Sequence, residues 1–275
     1  MTQTPEQVRR HYLIEKELAA RLRDAAEDER RQLYAEVYDE LYRRVPDHPM
    51  LVAKEAQSRI RELTVQRKLR MLKRYLTPRT VFMEIGAGDC LMSRRVAPLV
   101  ASVIAVEVSS VIAAQARLPA NMSIEIIDKP ADIPAAPGSV HLAFSDQLVE
   151  HLHPDDFVQQ SANVLAALAP GGRYVIVTPN GINGPHDVSR GFDPVATGMH
   201  LKEYTYTEMR SILLGLGYSR VEPLIGLKGV YLRFPGASVS IVEAVLGRLP
   251  TRLARRLANT LALQMVLAIR LVATR

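Results

Sequence analysis

The sequence predicts an α/β fold: a doubly wound, mostly parallel sheet with helical additions at the N and C termini. From Thr80 onward, short runs rich in β-branched residues alternate with helical stretches, the pattern typical of a parallel sheet. The residues before the sheet show the 3.6-residue period of amphipathic helices. We therefore expect a helical cap over residues 1–75, a sheet core over residues 76–236 and a basic helical tail over residues 237–275.

Composition and charge set broad limits on function. The chain of 275 residues is 48% hydrophobic and 23% charged, which is ordinary for a globular protein. The net charge of +6 fits an anionic partner such as nucleic acid, a lipid surface or a phosphorylated substrate, and it fits a basic solvated surface equally well. A single cysteine, Cys90, and the lack of an apolar leader at the start predict a cytoplasmic protein.

Two helices are expected before the sheet. The first has apolar side chains at Tyr34, Val37, Tyr38, Leu41 and Tyr42, and Pro46 ends it. The second has apolar side chains at Val65, Leu69, Leu72 and Leu76, with lysines and arginines on the remaining surface. That basic surface suits contact with phosphates, but it is also what the solvated side of an amphipathic helix contains.

The sheet and tail follow in order along the chain. Candidate strands are Val81–Ile85, Val103–Glu107, Ser123–Ile127, Val140–Phe144, Arg173–Thr178, Arg220–Leu224 and Gly229–Phe234. A capping box at Thr205 and Glu208 predicts a helix between the strands Arg173–Thr178 and Arg220–Leu224. The leucine-rich tail has no acidic residue after Glu243, as in a helix at a membrane surface, but a helix packed against protein has the same pattern and is the preferred interpretation. Its apolar run Leu261–Val272 is interrupted by Gln264 and is too short to span a bilayer.

A glycine-rich turn, Glu84-Ile-Gly-Ala-Gly-Asp89, follows the first strand and precedes a helix. Glu107 ends the next strand, 21 residues after Gly86, which is the offset at which a carboxylate meets ribose hydroxyls in nucleotide-binding folds. A dehydrogenase would share both features. Leu91 replaces the third glycine of the dinucleotide pattern, and Glu84 with Asp89 suits a cationic cofactor better than a diphosphate, which favours S-adenosylmethionine.

The chain resembles class I S-adenosylmethionine-dependent methyltransferases over residues 76–236. Four features carry the resemblance in order: the turn, Asp128 after the third strand, Ser145–Leu152 after the fourth, and Leu168–Asn180. The resemblance implies a Rossmann-like sheet. Its implied cofactor contacts are Glu84, Gly86, Gly88 and Asp89 around the methionine moiety, Glu107 at the ribose, Asp128 at the adenine, and Asp146 after the fourth strand.

Histidines follow the fourth and fifth strands, where ligands bind in open α/β sheets. The segments around Glu150, His151 and His200 are similar to signatures of metal-dependent 2′-O-methyltransferases that act on small-RNA 3′ ends, with Gln147 in place of their first glutamate. This similarity implies Gln147, Glu150, His151 and His200 as ligands of Mg²⁺ or Mn²⁺. Without a metal, His200 or His151 could serve as general base, His200 being preferred. His11 and His48 lie in the helical cap, and a packed side chain is expected for His141, which lies within a strand.

A polar loop, Pro179–Arg190, is expected to form the acceptor wall. With the following segment and the helical cap, it resembles an uncharacterised bacterial methyltransferase group associated with glycan or secondary-metabolite synthesis. We expect O-methylation of a sugar or another hydroxylated small molecule. The alternatives are an RNA 2′-O-methyltransferase, which basic helices favour and the 5% aromatic content disfavours, and a non-catalytic cofactor-binding scaffold. The sequence leaves the oligomeric state open.

Overall fold

The structure, a computed structural model, describes residues 4–48, 58–108, 118–227 and 229–275. Within these ranges an eight-stranded sheet is flanked by helices, with strand order β3-β2-β1-β4-β5-β8-β6-β7. The strands are β1 Val81–Ile85, β2 Ser102–Glu107, β3 Met122–Ile126, β4 Val140–Asp146, β5 Leu168–Thr178, β6 Arg220–Leu227, β7 Val230–Arg233 and β8 Ile269–Thr274. The α-helices are α1 Pro5–Asp24, α2 Glu27–Arg44, α3 Ser58–Leu72, α4 Leu91–Val96, α5 Pro154–Ala167, α6 Tyr206–Gly215, α7 Gly236–Gly247, α8 Thr251–Ala258 and α9 Leu261–Leu267.

Strands β1 to β5 form the parallel part of the sheet, as expected. Side chains buried on both faces of β1, β2, β4 and β5 explain the short apolar runs of the sequence. The strand order reverses between β1 and β4, which lie side by side. In open α/β sheets ligands bind outside the carboxyl ends of the strands at such a reversal, so the turn after β1 and the segment after β4 flank the expected binding crevice.

The last strand corrects the expected tail. Residues 236–267 are helical in α7, α8 and α9, but Ile269–Thr274 forms β8, antiparallel between β5 and β6. Leu271, Val272 and Ala273 are buried there, so the sheet core does not end at residue 236. A strand buried on both faces does not alternate between apolar and polar residues. Because the apolar residues of β8 directly continue the leucine-rich helical segment, the sequence pattern did not distinguish the strand from the helix.

The tail exposes both apolar and basic side chains, which fit either a protein or a membrane surface as its partner. Ile241, Leu253 and Leu261 are exposed, and exposed Arg252 and Arg256 lie on the same helix as Leu253. Among the described residues no helix combines the length and apolarity that a bilayer span requires. Packing on protein or on a membrane surface stays a prediction.

Helices α1 and α2, called here the cap helices, form a small apolar core of their own. Leu18, Leu22, Val37 and Leu41 pack together with Met199 and Leu201 of the segment that precedes α6, and further members are Ile14, Ala19, Tyr34 and Val45. The cap helices therefore rest on the loop that carries His200. Helix α3 packs on the sheet instead, through Val65, Leu69, Met71 and Leu72.

Candidate functional site

The glycine-rich turn after β1 is closed by the carboxylate at the end of β2. Gly86 has φ +70°, a conformation that favours glycine, and a Cβ there would lie 3.0 Å from a methyl group of Leu148. Gly88 has φ +52°, and its amide donates to Glu107 Oε2 at 2.7 Å. Glu107 Oε1 accepts from the amide of Val108 at 2.9 Å. The two motifs found in the sequence are thus one hydrogen-bonded unit.

Two acidic side chains lie at the strand reversal. Glu84 is buried, and its Oε2 accepts from Ser93 Oγ at 2.5 Å. Burial, with the charges of Asp146 and Asp89, raises the pKa of Glu84 to about 8. Asp146 pairs with Lys68 of α3, and burial raises its pKa too. Buried carboxyl groups with raised pKa values gain most from a cationic ligand, because a positive charge favours their ionised form.

Two other predicted cofactor contacts lie closer to solvent. Asp89 is half exposed and pairs with Arg61 of α3 at 2.5 Å. The Asp128 side chain is 75% exposed and pairs with Arg31 of α2 at 3.1 Å. The structure thus places Asp128 after β3, as expected, but against a cap helix, and its contact with adenine stays a prediction.

A second group of polar side chains forms beyond β4. The ligating atoms of Glu150, His151 and His200, called here the Glu150 cluster, lie within 4.8 Å of one another. Glu150 is fully buried; its Oε2 accepts from Thr178 Oγ1 at 2.8 Å, whereas its Oε1 is buried without a hydrogen-bond partner in the described part of the chain. The two imidazole rings meet edge to face, 4.8 Å between centroids. Three of the four predicted metal ligands therefore come together.

The fourth predicted ligand, Gln147, has an unusual backbone. Its φ is +53°, a left-handed conformation that costs energy in a residue other than glycine, and its amide donates to Val177 O at 2.8 Å. The Gln147 side chain is exposed. Such outliers concentrate at functional sites, and this one turns the chain from β4 toward Glu150.

Hydrogen bonds fix the protonation pattern of the two imidazoles. His151 Nδ1–H donates to Met199 O at 3.0 Å and His200 Nδ1–H donates to Glu203 Oε1 at 2.7 Å, since a carbonyl and a carboxylate only accept. Burial and the neighbouring His200 lower the pKa of His151 to about 4. Burial opposes protonation of His200 as well, but the Glu203 hydrogen bond and the charge of Glu150 raise its pKa overall.

Glu203 is a site residue that sequence reasoning did not assign. It accepts from the His186 amide at 2.6 Å as well as from His200, and although burial opposes this, its hydrogen bonds with His186 and His200 lower its pKa to about 2. A Cβ at Gly184 would collide with its carboxylate, so that glycine leaves room for Glu203. The spacing of Glu203 three residues after His200 was the available signal.

Tyr38 of α2 is the second residue that was missed. Its ring lies 6.5 Å from that of His151, and burial raises the pKa of its hydroxyl, with contributions from Glu150 and Glu107 among others. Tyr38 thus lies within electrostatic reach of both the cofactor turn and the Glu150 cluster. The sequence showed it only as part of an apolar helix face.

The polar loop after β5 is held mostly by its own contacts. Asn180 is buried and donates to Glu243 Oε1 at 2.8 Å. Asp187 accepts from the amides of Ser189 and Gly198, while His186 bonds to Glu203. Arg190 is exposed. Of the side chains predicted to face an acceptor, His186 and Asp187 therefore also position the loop.

Comparisons with known proteins agree with the fold. Residues 82–172 match a family model described as a methyltransferase domain. The structure of phosphoethanolamine N-methyltransferase 2 from Haemonchus contortus with S-adenosylhomocysteine is similar at TM-score 0.52 and 16% identity over 76% of this chain, and this chain spans 52% of that one. The YcgJ protein of Bacillus subtilis is similar at TM-score 0.50 and 16% identity, over 76% of this chain and 98% of that one. No curated protein matches the chain.

Proposed function

We propose that this chain is a class I S-adenosylmethionine-dependent methyltransferase, and that it transfers the methyl group to a hydroxyl of a sugar or another hydroxylated small molecule. The Glu150 cluster is the observation that supports this acceptor. An in-line attack on the methyl group requires that a hydroxyl lose or loosen its proton, whereas a neutral amine already offers its lone pair. A buried pair of imidazoles beside a carboxylate suits the hydroxyl.

The proposed cofactor contacts divide by charge. Glu84 and Asp146 would face the cationic methionine end, with Gly86, Gly88 and Asp89 forming the turn around it. Glu107, whose two oxygens accept the amides of Gly88 and Val108, is proposed at the ribose hydroxyls. Asp128 is proposed at the adenine end.

In a mechanism without a metal ion, His200 is proposed as the general base. Its Nδ1–H is held by Glu203, so a neutral His200 presents its Nε2 lone pair to a hydroxyl. The negative charges of Glu150 and Glu203 would stabilise the imidazolium that results from proton transfer. His151, whose pKa is lowered to about 4, is the poorer proton acceptor of the two.

The same cluster fits a divalent cation, Mg²⁺ or Mn²⁺. Within the described residues, Glu150 Oε1 has no hydrogen-bond partner. The other atoms of the three side chains are held in place, Glu150 Oε2 by Thr178, His151 Nδ1 by Met199 O and His200 Nδ1 by Glu203, and metal ligands are usually oriented by such hydrogen bonds. We propose Glu150, His151 and His200 as ligands, with Gln147 nearby. A bound ion would supply Lewis-acid activation of the acceptor hydroxyl.

Replacing His200 with alanine tests both roles. Turnover should fall about 100-fold or more, while S-adenosylmethionine binding changes little, because the imidazole acts on the acceptor. Transfer of a labelled methyl group to a panel of sugars and polyols measures turnover, and calorimetry measures binding. His141→Ala is the matched control, since His141 is exposed on β4 and accepts from Val81 at the opposite end of the strands.

Three results would correct the proposal. Undiminished turnover in His200→Ala would remove His200 from the mechanism. Metal analysis that finds no divalent ion, together with turnover that survives a chelator, would rule out the ion and leave the base. If no small hydroxylated compound is methylated and RNA is, the acceptor class is RNA.

RNA remains the second candidate because of one surface. Arg67, Arg70, Lys73 and Arg74 are exposed on or just after α3, whose Lys68 reaches Asp146 at the site. A basic surface beside the crevice is what an RNA backbone would contact. Affinity for a small RNA that falls steeply with salt, and weakens in Arg67→Gln with Arg70→Gln, would favour this acceptor.

The raised pKa of Glu84 predicts pH-dependent cofactor binding. Below its pKa of about 8, free Glu84 is mostly protonated, and the cationic cofactor should drive the proton off. Affinity should therefore rise as the pH increases from about 6 to 8 and level off above that. Calorimetry at pH 7 in two buffers of different ionisation enthalpy should detect proton release. The Glu84→Gln variant should release fewer protons on cofactor binding. Equal binding enthalpies for the native protein in the two buffers would contradict the prediction.

A further inference from the structure

We propose that His11, Glu15 and His48 form a divalent-cation site of their own in the helical cap, separate from the Glu150 cluster. Their ligating atoms all lie within 4.8 Å of one another. His11 Nε2 lies 2.6 Å from Glu15 Oε1, and His48 Nε2 lies 3.6 Å from the same oxygen. Two imidazoles and one carboxylate that converge in this way are a common ligand set for transition-metal ions such as Zn²⁺, Mn²⁺ or Fe²⁺.

The charge of the cluster supports a cation. The side chains of His11, Glu15 and His48 are only 5%, 7% and 12% exposed. Glu15 Oε1 lies 2.6 Å from His11 Nε2 and 3.6 Å from His48 Nε2, while Glu15 Oε2 accepts from the Met199 amide at 3.1 Å. No lysine or arginine forms an ion pair with Glu15 in the described ranges. A buried carboxylate in that position gains from a bound cation, which supplies the missing positive charge.

A cavity of about 220 Å³ borders the cluster at His11, and its lining also includes Gln7, Arg10, Arg44 and Asp47. His11 Nδ1 is buried without a hydrogen-bond partner in the described part of the chain. The cavity provides an entry path for an ion and room for the waters that complete its coordination.

The proposed ion would hold in place the loop that carries His200. Glu15 Oε2 accepts from the Met199 amide at 3.1 Å, and Met199 O accepts from His151 Nδ1 at 3.0 Å. An ion that holds Glu15 in place therefore also holds the His151 imidazole in place, through the backbone of Met199. The site would be structural, holding the cap helices on the loop that they cover.

Metal content separates this site from the Glu150 cluster. The starting protein carries His151→Gln and His200→Gln, and it is stripped with chelator and then titrated with Co²⁺ and with Zn²⁺. We expect one ion per chain, with absorption bands typical of bound Co²⁺. Adding His11→Gln and His48→Gln should abolish that ion, although glutamine can still donate to Glu15. His153→Gln, in place of the cap substitutions, is the matched control and should retain it.

The outcomes are decisive in each direction. If the starting protein binds no ion, or if the ion survives His11→Gln with His48→Gln, the cap site does not exist and the three side chains share only protons. Histidine NMR of the native protein with Co²⁺ avoids substitutions altogether. Paramagnetic shifts of His11 and His48 are expected, and shifts confined to His151 and His200 would refute the cap site while leaving the proposed function intact.

Discussion

Replacing Arg30 with methionine is expected to lower the free energy of unfolding by about 3–5 kcal/mol, because it leaves a buried charge unpaired. Arg30 of α2 and Asp156 of α5 are 3% and 8% exposed. Arg30 Nε donates to one carboxylate oxygen at 2.9 Å and Nη2 donates to the other at 2.8 Å. The hydroxyl of Tyr34 donates to the same carboxylate at 2.8 Å. This network attaches a cap helix to the sheet core.

The next residue provides the control. Arg31 pairs with Asp128, but these side chains are 48% and 75% exposed, so Arg31→Met should cost less than about 1 kcal/mol. Denaturant unfolding of both variants measures the difference. Adding Asp156→Asn to Arg30→Met should recover part of the loss, since it removes the orphaned charge. Equal stability of Arg30→Met and Arg31→Met would show that the pair does not anchor the cap.

The fold could be predicted where the relevant signal is local. Strands β1 to β5 are short runs rich in apolar residues, and the structure places them within a few residues of the expected bounds, apart from an earlier start of β5. Strand β8 could not be predicted in this way. Its partners β5 and β6 lie far away in the sequence, and its own pattern merges with the helical leucines before it. Pairing between distant segments leaves no periodic trace in either one.

The same distinction applies to the site. Gly86, Gly88 and Glu107 were predictable because a tight turn and a strand end fix them locally. His200 was predicted, but Tyr38 was not, because an aromatic residue on a helix face looks the same whether it faces a core or a crevice. The ion pair between Lys68 and Asp146 forms only when α3 packs on the sheet, so it could not be predicted from the sequence either.

Replacing Glu107 with alanine should weaken S-adenosylmethionine binding by about 100-fold or more. The substitution removes the proposed ribose acceptor and also the two hydrogen bonds that hold the turn, from the amides of Gly88 and Val108. Hydrogen bonds to a charged group contribute about 1.5–3 kcal/mol each, so the loss of one ribose contact alone would cost a factor of 10 or more. Calorimetry with S-adenosylmethionine measures the change.

The pattern across ligands separates a ribose contact from a loosened turn. S-adenosylhomocysteine shares the ribose but lacks the sulfonium charge, so Glu107→Ala should weaken both ligands by the same factor. Glu84→Gln affects the methionine end and should leave binding of adenosine alone unchanged, whereas Glu107→Ala should weaken it. Asp128→Ala should reduce affinity only a few-fold, because a carboxylate 75% exposed is largely screened by water. Unaltered adenosine binding in Glu107→Ala would exclude the ribose role, and tighter binding of NAD than of S-adenosylmethionine by the native protein would argue against the proposed cofactor pocket.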